Sequence, residues 1–221
     1  MVVRRLLGRI GPQTLIALAH RLAPDKEFLI YEGQRLTRRT VFSRVAALAA
    51  GLQALGIGPG DRVATLLPAC PEAVYALFLP WVLGSVEVPL NPLYREHELR
   101  HILADCGARA VIATASWGGQ DHVAMLSALR TGLPDLRHVI VREDGAGDGQ
   151  SVLSLAEVIA RAGPLRPVKV SRHDVGRISY TSGTTGMPKG VAHARDGYWN
   201  LAHPAAGWRL DLRLLRCLLL P

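Results

Sequence analysis

Ser179-Tyr180-Thr181-Ser182-Gly183-Thr184-Thr185-Gly186-Met187-Pro188-Lys189-Gly190 is the stretch whose residue types and spacing could do chemistry. From Ser179 to Thr185, five of seven residues are Ser or Thr. Gly183, Gly186 and Gly190 interrupt the run, and Lys189 closes it. A chain of phosphates needs several donors converging on its oxygens and a backbone that can come close. Glycine lets amides approach without a Cβ clash, and successive amides form an anion-binding concavity. Hydroxyls add donors, and a lysine adds a compact charge on a flexible stem. Lysine is scarce here, with three against 23 arginines, so its use at this spot points to a wanted point charge. A plain Gly/Ser/Thr surface loop is the competing reading. The specific order over the eleven residues Tyr180 to Gly190 argues against it. The other common phosphate loop, GxxxxGK followed by Ser or Thr, is not met, because Lys189 stands between Pro188 and Gly190.

The rest of the chain supplies elements to position that loop. Phe28–Tyr31 and Gln34–Leu36 flank Glu32-Gly33 and predict a β-hairpin. Thr37 can cap a helix whose Val41, Val45, Leu48, Leu52 and Leu55 share one face, with Gly56 just past its end. After the turn Gly58–Asp61, the run Arg62–Leu67 reads as a buried strand. Pro71 then opens a helix reaching Gly84, which Pro80 should kink or shorten. The alternation goes on with a strand at Val86–Leu90, a helix at Arg95–Asp105, a strand at Ala110–Thr114, a helix at Asp121–Arg130 and a strand at His138–Val141. Asp144 to Gln150 is a flexible loop, and Ser154-Leu155-Ala156-Glu157 has the form of a capping box. Val175–Tyr180 leads as a strand into the glycine-rich loop. Strands alternating with helices predict an α/β fold, a mostly parallel sheet with flanking helices.

Composition narrows the function class. Hydrophobic residues make up 49% of the chain, enough to build a core and too many for a disordered protein. The net charge of +8 comes from scattered arginines that form no stripe, so no nucleic-acid partner is expected, although anionic substrates would be attracted. No apolar run approaches the ~18 residues of a membrane span. Gln13–Leu22 reads as an ordinary amphipathic helix, with peripheral membrane contact as its alternative. Cys70, Cys106 and Cys217 have no metal-binding spacing and read as reduced thiols of a cytoplasmic protein. No metal-ligating residue is assigned.

The motif YTSGTTGMPKG closely resembles the signature of the AMP-forming adenylating superfamily, which includes acyl-CoA and aryl-CoA synthetases, luciferases and peptide-synthetase adenylation domains. Further segments match in the same order: Thr37 to Leu55, Gly60-Asp61-Arg62-Val63 through Pro68 with Pro71-Glu72, Gly84 to Pro92, and His101 to Ala108. The resemblance extends from about residue 13 to 210. It implies the N-terminal domain of an adenylate-forming enzyme. It also implies ATP-dependent activation of a carboxylic acid to an acyl-adenylate, with Mg²⁺, followed by transfer to a thiol, usually CoA. It implies that Thr181, Ser182, Gly183, Thr184, Thr185, Gly186 and Lys189 hold the β- and γ-phosphates, with Lys189 as the catalytic residue.

Two departures qualify the resemblance. After the loop, many relatives read KGV-x-x-Thr-His, whereas this chain reads Lys189-Gly190-Val191-Ala192-His193-Ala194-Arg195. His193 with Gly197-Tyr198 is closer to the acetyl-CoA synthetase branch, which favours a short or medium acyl chain. The alternative for His193 is a packing role at a strand end. Family members also run to about twice this length or more. Residues 1–221 are therefore expected to be a partial adenylation domain, without the later adenine, ribose and Mg²⁺ contacts and without the C-terminal domain. The segment from about 211 to 221 is expected to be a non-family tail. A fragment of this kind would bind nucleotide phosphates weakly or not at all and would self-associate.

Overall fold

The computed structural model describes residues 21–143, 152–181 and 187–195. Most of the Gln13–Leu22 helix, the Asp144–Gln150 loop, Gly197-Tyr198, Cys217 and the 211–221 tail lie outside the described residues. The chain opens with the expected hairpin, β1 (Glu27–Tyr31) against β2 (Gln34–Thr37). Its turn has positive φ at both Glu32 and Gly33, the backbone that matches the twist of the two strands. The Thr37 hydroxyl accepts from the Thr40 amide at 3.2 Å and starts α1 (Arg38–Ala54). Val41, Val45, Leu48 and Leu52 form its buried face.

Five parallel-paired strands build the centre: β3 (Arg62–Leu66), β4 (Val86–Pro89), β5 (Ala110–Ala113), β8 (His138–Val141) and β9 (Val152–Ser154). A small hairpin, β6 (Ser116–Trp117) with β7 (Gln120–Asp121), lies outside this sheet. The connecting helices are α2 (Pro71–Val82), α3 (Glu96–Cys106), α4 (His122–Arg130) and α5 (Leu155–Ala160). β10 (Val175–Thr181) joins parallel to β4, and β11 (Lys189–Ala194) turns back antiparallel along β10. The sheet order is β11-β10-β4-β3-β5-β8-β9. The fold is the predicted mostly parallel α/β sheet, with an antiparallel edge that the periodicity did not announce.

Two apolar clusters sandwich the sheet. Val63, Ala110, Ile112 and Ile140 face α1, α2 and α5 on one side. Ala64, Leu66, Val88 and Val111 face α3 and α4 on the other. Pro80 falls in the last turn of α2, so the break is confined there; the helix runs on to Val82 and Leu83 still donates to the Leu79 carbonyl at 2.7 Å. The capping box at Ser154 is formed, with Glu157 returning a bond to the Ser154 amide at 2.6 Å.

β3 lies between β4 and β5, so the chain leaves β3 toward one edge and returns to its other side after α3. In open α/β sheets such a reversal makes a crevice at the carboxyl ends of the strands, where ligands bind. Because β10 runs parallel to β4, its carboxyl end, Thr181, opens on this same edge of the sheet.

Candidate functional site

The functional segment begins where β10 ends. Thr181 and Lys189 face each other across the β10–β11 ladder, and Tyr180 faces Gly190. Ser182, Gly183, Thr184, Thr185 and Gly186 lie outside the described residues, between these paired ends. Of the predicted phosphate ligands, the structure therefore brings Thr181 and Lys189 together. Opposed residues in such a ladder keep their Cβ atoms about 4.5–5.5 Å apart, so one anion can meet both hydroxyl and ammonium. Both residues are exposed, and among the described residues Lys189 makes no ion pair. Lys189 belongs to a strand rather than to the loop, which gives its backbone a fixed register.

Alternation along β10 sends its side chains to two faces. Ile178 and Tyr180 pack against the α3/α4 side of the sheet. The Tyr180 hydroxyl donates to Asp105 Oδ2 at 2.5 Å. Burial first, and then this carboxylate, push the Tyr180 hydroxyl well above the usual tyrosine range. His101 Nε2 lies 2.9 Å from the Pro188 carbonyl. A carbonyl can only accept, so Nε2 carries the proton. An open cleft of about 1250 Å³ runs beside this contact between α3 and α4, with Arg95, His97, Arg100, His101, Met125 and Met187 among its lining.

On the opposite face, Arg177 stands in register with Glu87 of β4. Arg177 Nε is 3.2 Å from Glu87 Oε2, and Nη2 reaches Oε1 at 3.5 Å, a pairing that is mainly coulombic. Glu87 is 5% exposed. Burial raises its carboxyl, and Arg177 only partly offsets that effect. At the far end of β11, Arg195 is buried. Its Nε donates to the Pro80 carbonyl at 2.8 Å and its Nη2 to the Gly84 carbonyl at 2.5 Å. Nη1 meets Asp174 at 3.0 Å. This guanidinium caps the carboxyl end of α2 and ties the residue just after β11 to the body of the fold. Gly176 makes room for it: a Cβ there would stand 2.6 Å from Arg195 Cγ.

His101, Asp105, Glu87, Arg177 and Arg195 escaped the sequence reading as site residues. One signal was available for Glu87, since an acid inside the apolar strand Val86-Glu87-Val88 must find a partner. Cys70 and Cys106 are not part of the site. Cys70 and Cys106 are free and buried, and burial raises both thiols, Cys106 to about 11, so neither is an activated nucleophile.

No group of three or more His, Cys, Asp or Glu converges on a metal position among the described residues. Magnesium usually binds through one or two carboxylates together with substrate phosphates. The described donors at Thr181 and Lys189 are a hydroxyl and a cation, which do not make a magnesium cage. No helix among the described residues is long and apolar enough to cross a membrane.

Comparison with known proteins gives a consistent result. The sequence profile of the AMP-binding enzymes matches residues 18–217. A feruloyl-CoA synthase of an Amycolatopsis species is 38% identical over 171 residues, which is 77% of this chain and 30% of that protein. A salicyl-AMP ligase / salicyl-S-ArCP synthetase of Mycobacterium tuberculosis is 34% identical over 207 residues, 90% of this chain and 36% of that protein. The crystal structure of the anthranilate CoA ligase AuaEII in complex with anthranoyl-AMP superimposes with a TM-score of 0.73 at 29% identity, covering 85% of this chain and 36% of the other. The chain spans about a third of the length of the curated relatives it matches.

Proposed function

Because the chain belongs to the AMP-binding enzyme family, we propose that it contributes the phosphate-gripping part of an ATP-dependent ligase that activates a carboxylic acid and passes the acyl group to CoA. In the reaction we assign, a carboxylate oxygen attacks the α-phosphorus of ATP, and the bond to the β-phosphate oxygen breaks. Acyl-adenylate and pyrophosphate form. A thiol, that of CoA, then attacks the acyl carbon and AMP leaves. Negative charge grows on pyrophosphate as it departs. The Lys189 ammonium and the hydroxyls of Thr181, Ser182, Thr184 and Thr185 neutralise and hold it, with amides at Gly183 and Gly186 approaching closely. This is catalysis by positioning and charge stabilisation. Magnesium would enter as the counter-ion of ATP. ATP and CoA are cytoplasmic substrates, and we place the reaction there.

The observation that carries this reading is the exposed Thr181–Lys189 pair at the carboxyl end of a parallel strand. The resemblance of the His193 segment to the acetyl-CoA synthetase branch supports a short or medium acyl chain. The relatives named for feruloyl and salicyl groups support testing aromatic acids alongside aliphatic ones. ATP–pyrophosphate exchange by the purified 221-residue chain, over a panel of both acid types, is the test. Acid-dependent exchange supports activation by these residues. A second reading is that they grip phosphates without forming the adenylate, since the described donors, Thr181 and Lys189, are a hydroxyl and a cation suited to phosphate oxygens. MgATP binding without exchange under any acid would select it.

A further inference from the structure

We propose that His101 and Asp105 of α3 are positioning residues that clamp the two ends of the phosphate loop. The inference rests on the phosphate-binding reading and deepens it. His101 and Asp105 are one helical turn apart and share a face of α3. The hydroxyl of Tyr180 reaches Asp105 one residue before Thr181, where the loop leaves the sheet. The carbonyl of Pro188 receives His101 one residue before Lys189, where the loop returns. The contacts span 75 and 87 residues of sequence, so they are tertiary tethers and not local turns.

These contacts are not required for the packing of α3. Leu99, Ile102, Leu103 and Cys106 already bury its sheet-facing side, whereas Asp105 is exposed and His101 half-buried. β11 needs an external hold. Its first residues, Lys189 to Ala192, are exposed, and among the described residues the strand pairs only with β10. Gly190 completes the arrangement. A Cβ at that position would lie 3.0 Å from Tyr180 Cζ and 3.2 Å from its hydroxyl oxygen, so the tyrosine ring lies against bare backbone. Tyr180 is thereby held between α3 and the strand that carries Lys189. When only a fraction of molecules holds a site in its competent form, apparent affinity falls by that fraction. Tethering both ends of the loop raises the fraction in which Thr181 and Lys189 face one phosphate group together.

The test is titration of the 221-residue chain with MgATP, using wild type, His101→Leu, Asp105→Ala, Tyr180→Phe, the double variant Asp105→Ala/Tyr180→Phe, and the conservative variants His101→Gln and Asp105→Asn. Each single removal is expected to raise the dissociation constant about three- to tenfold, the range of a lost hydrogen bond. The double variant should add nothing beyond its larger single, because both remove one bond. Gln and Asn keep a donor and an acceptor in place and should stay within about twofold of wild type. Denaturation midpoints should barely move, while amide exchange at Lys189 and Gly190 should quicken. Wild-type affinity in the removal variants would overturn the clamp, as would a fully additive double variant or failure of both conservative replacements. Absence of MgATP binding by the wild type would overturn the phosphate reading and the clamp with it; unchanged amide exchange in the variants would overturn the clamp alone.

Discussion

Lys189 combines an exposed ammonium with a backbone fixed by the ladder to Thr181. Its removal should therefore change binding and leave folding alone. Lys189→Ala is expected to weaken MgATP or pyrophosphate binding by about ten- to a hundredfold, the range of hydrogen bonds to charged groups, with the denaturation midpoint unchanged. Calorimetric titration alongside urea unfolding checks both halves. Tyr180 makes a separate prediction in pH. Its hydroxyl is held above its unfolded value, about 10, by burial and by Asp105. The folded state therefore keeps this proton when the unfolded state has lost it. The contribution is complete below about pH 10 and is lost as pH rises above that value. Tyr180→Phe should flatten the alkaline fall in stability, measured by urea midpoints between neutrality and strong alkali.

Among the elements, β10 meets β4 at one charged register pair. Arg177 and Glu87 are the one register pair between β10 and β4, and their side chains meet on the α1/α2/α5 side of the sheet. Arg177→Met would leave the Glu87 carboxylate buried without its counter-charge, at a cost of about 3 kcal/mol. Glu87 is raised by burial even when paired, so the cost should shrink as pH falls and the carboxyl protonates. Urea titrations at neutral and mildly acidic pH read this directly. Gly51 makes a second prediction. A Cβ there would stand 2.3 Å from the Val158 carbonyl, so Gly51→Ala must push α1 off α5 and should cost about 3 kcal/mol, the upper range of overpacking. Much of this layer was legible in the sequence. The face of α1, the box at Ser154 and the strand at His138–Val141 follow from spacing alone. β11 was not legible, because Lys189-Gly190-Val191-Ala192 carries a glycine and an exposed pattern and takes strand form only by pairing with β10. The tethers at His101 and Asp105 escaped for a related reason. A polar residue on a helix rim gives no local sign of a partner 75 or more residues away.

At the scale of the whole molecule, the described residues present a sheet whose β11 edge is lightly defended. Val191 is 46% exposed on that strand, and neighbouring Lys189 is the flanking charge. Edges of this kind recruit further strands. The 221-residue chain is expected to self-associate with rising concentration in sedimentation velocity, and Val191→Lys should shift it toward monomer. The position of β10 has another consequence, in time rather than in space. β3, β4, β5 and β8 lie within residues 62–141, whereas Arg177 must find Glu87 across 90 residues of chain. Closing so long a loop is slow relative to pairing near neighbours. The central strands should thus acquire protection first in a pulse-labelled refolding experiment, and the amides of β10 last. A chain emerging from the ribosome would show the bare flank of β4 for as long as the intervening residues take to be made, and only the arrival of β10 would close it.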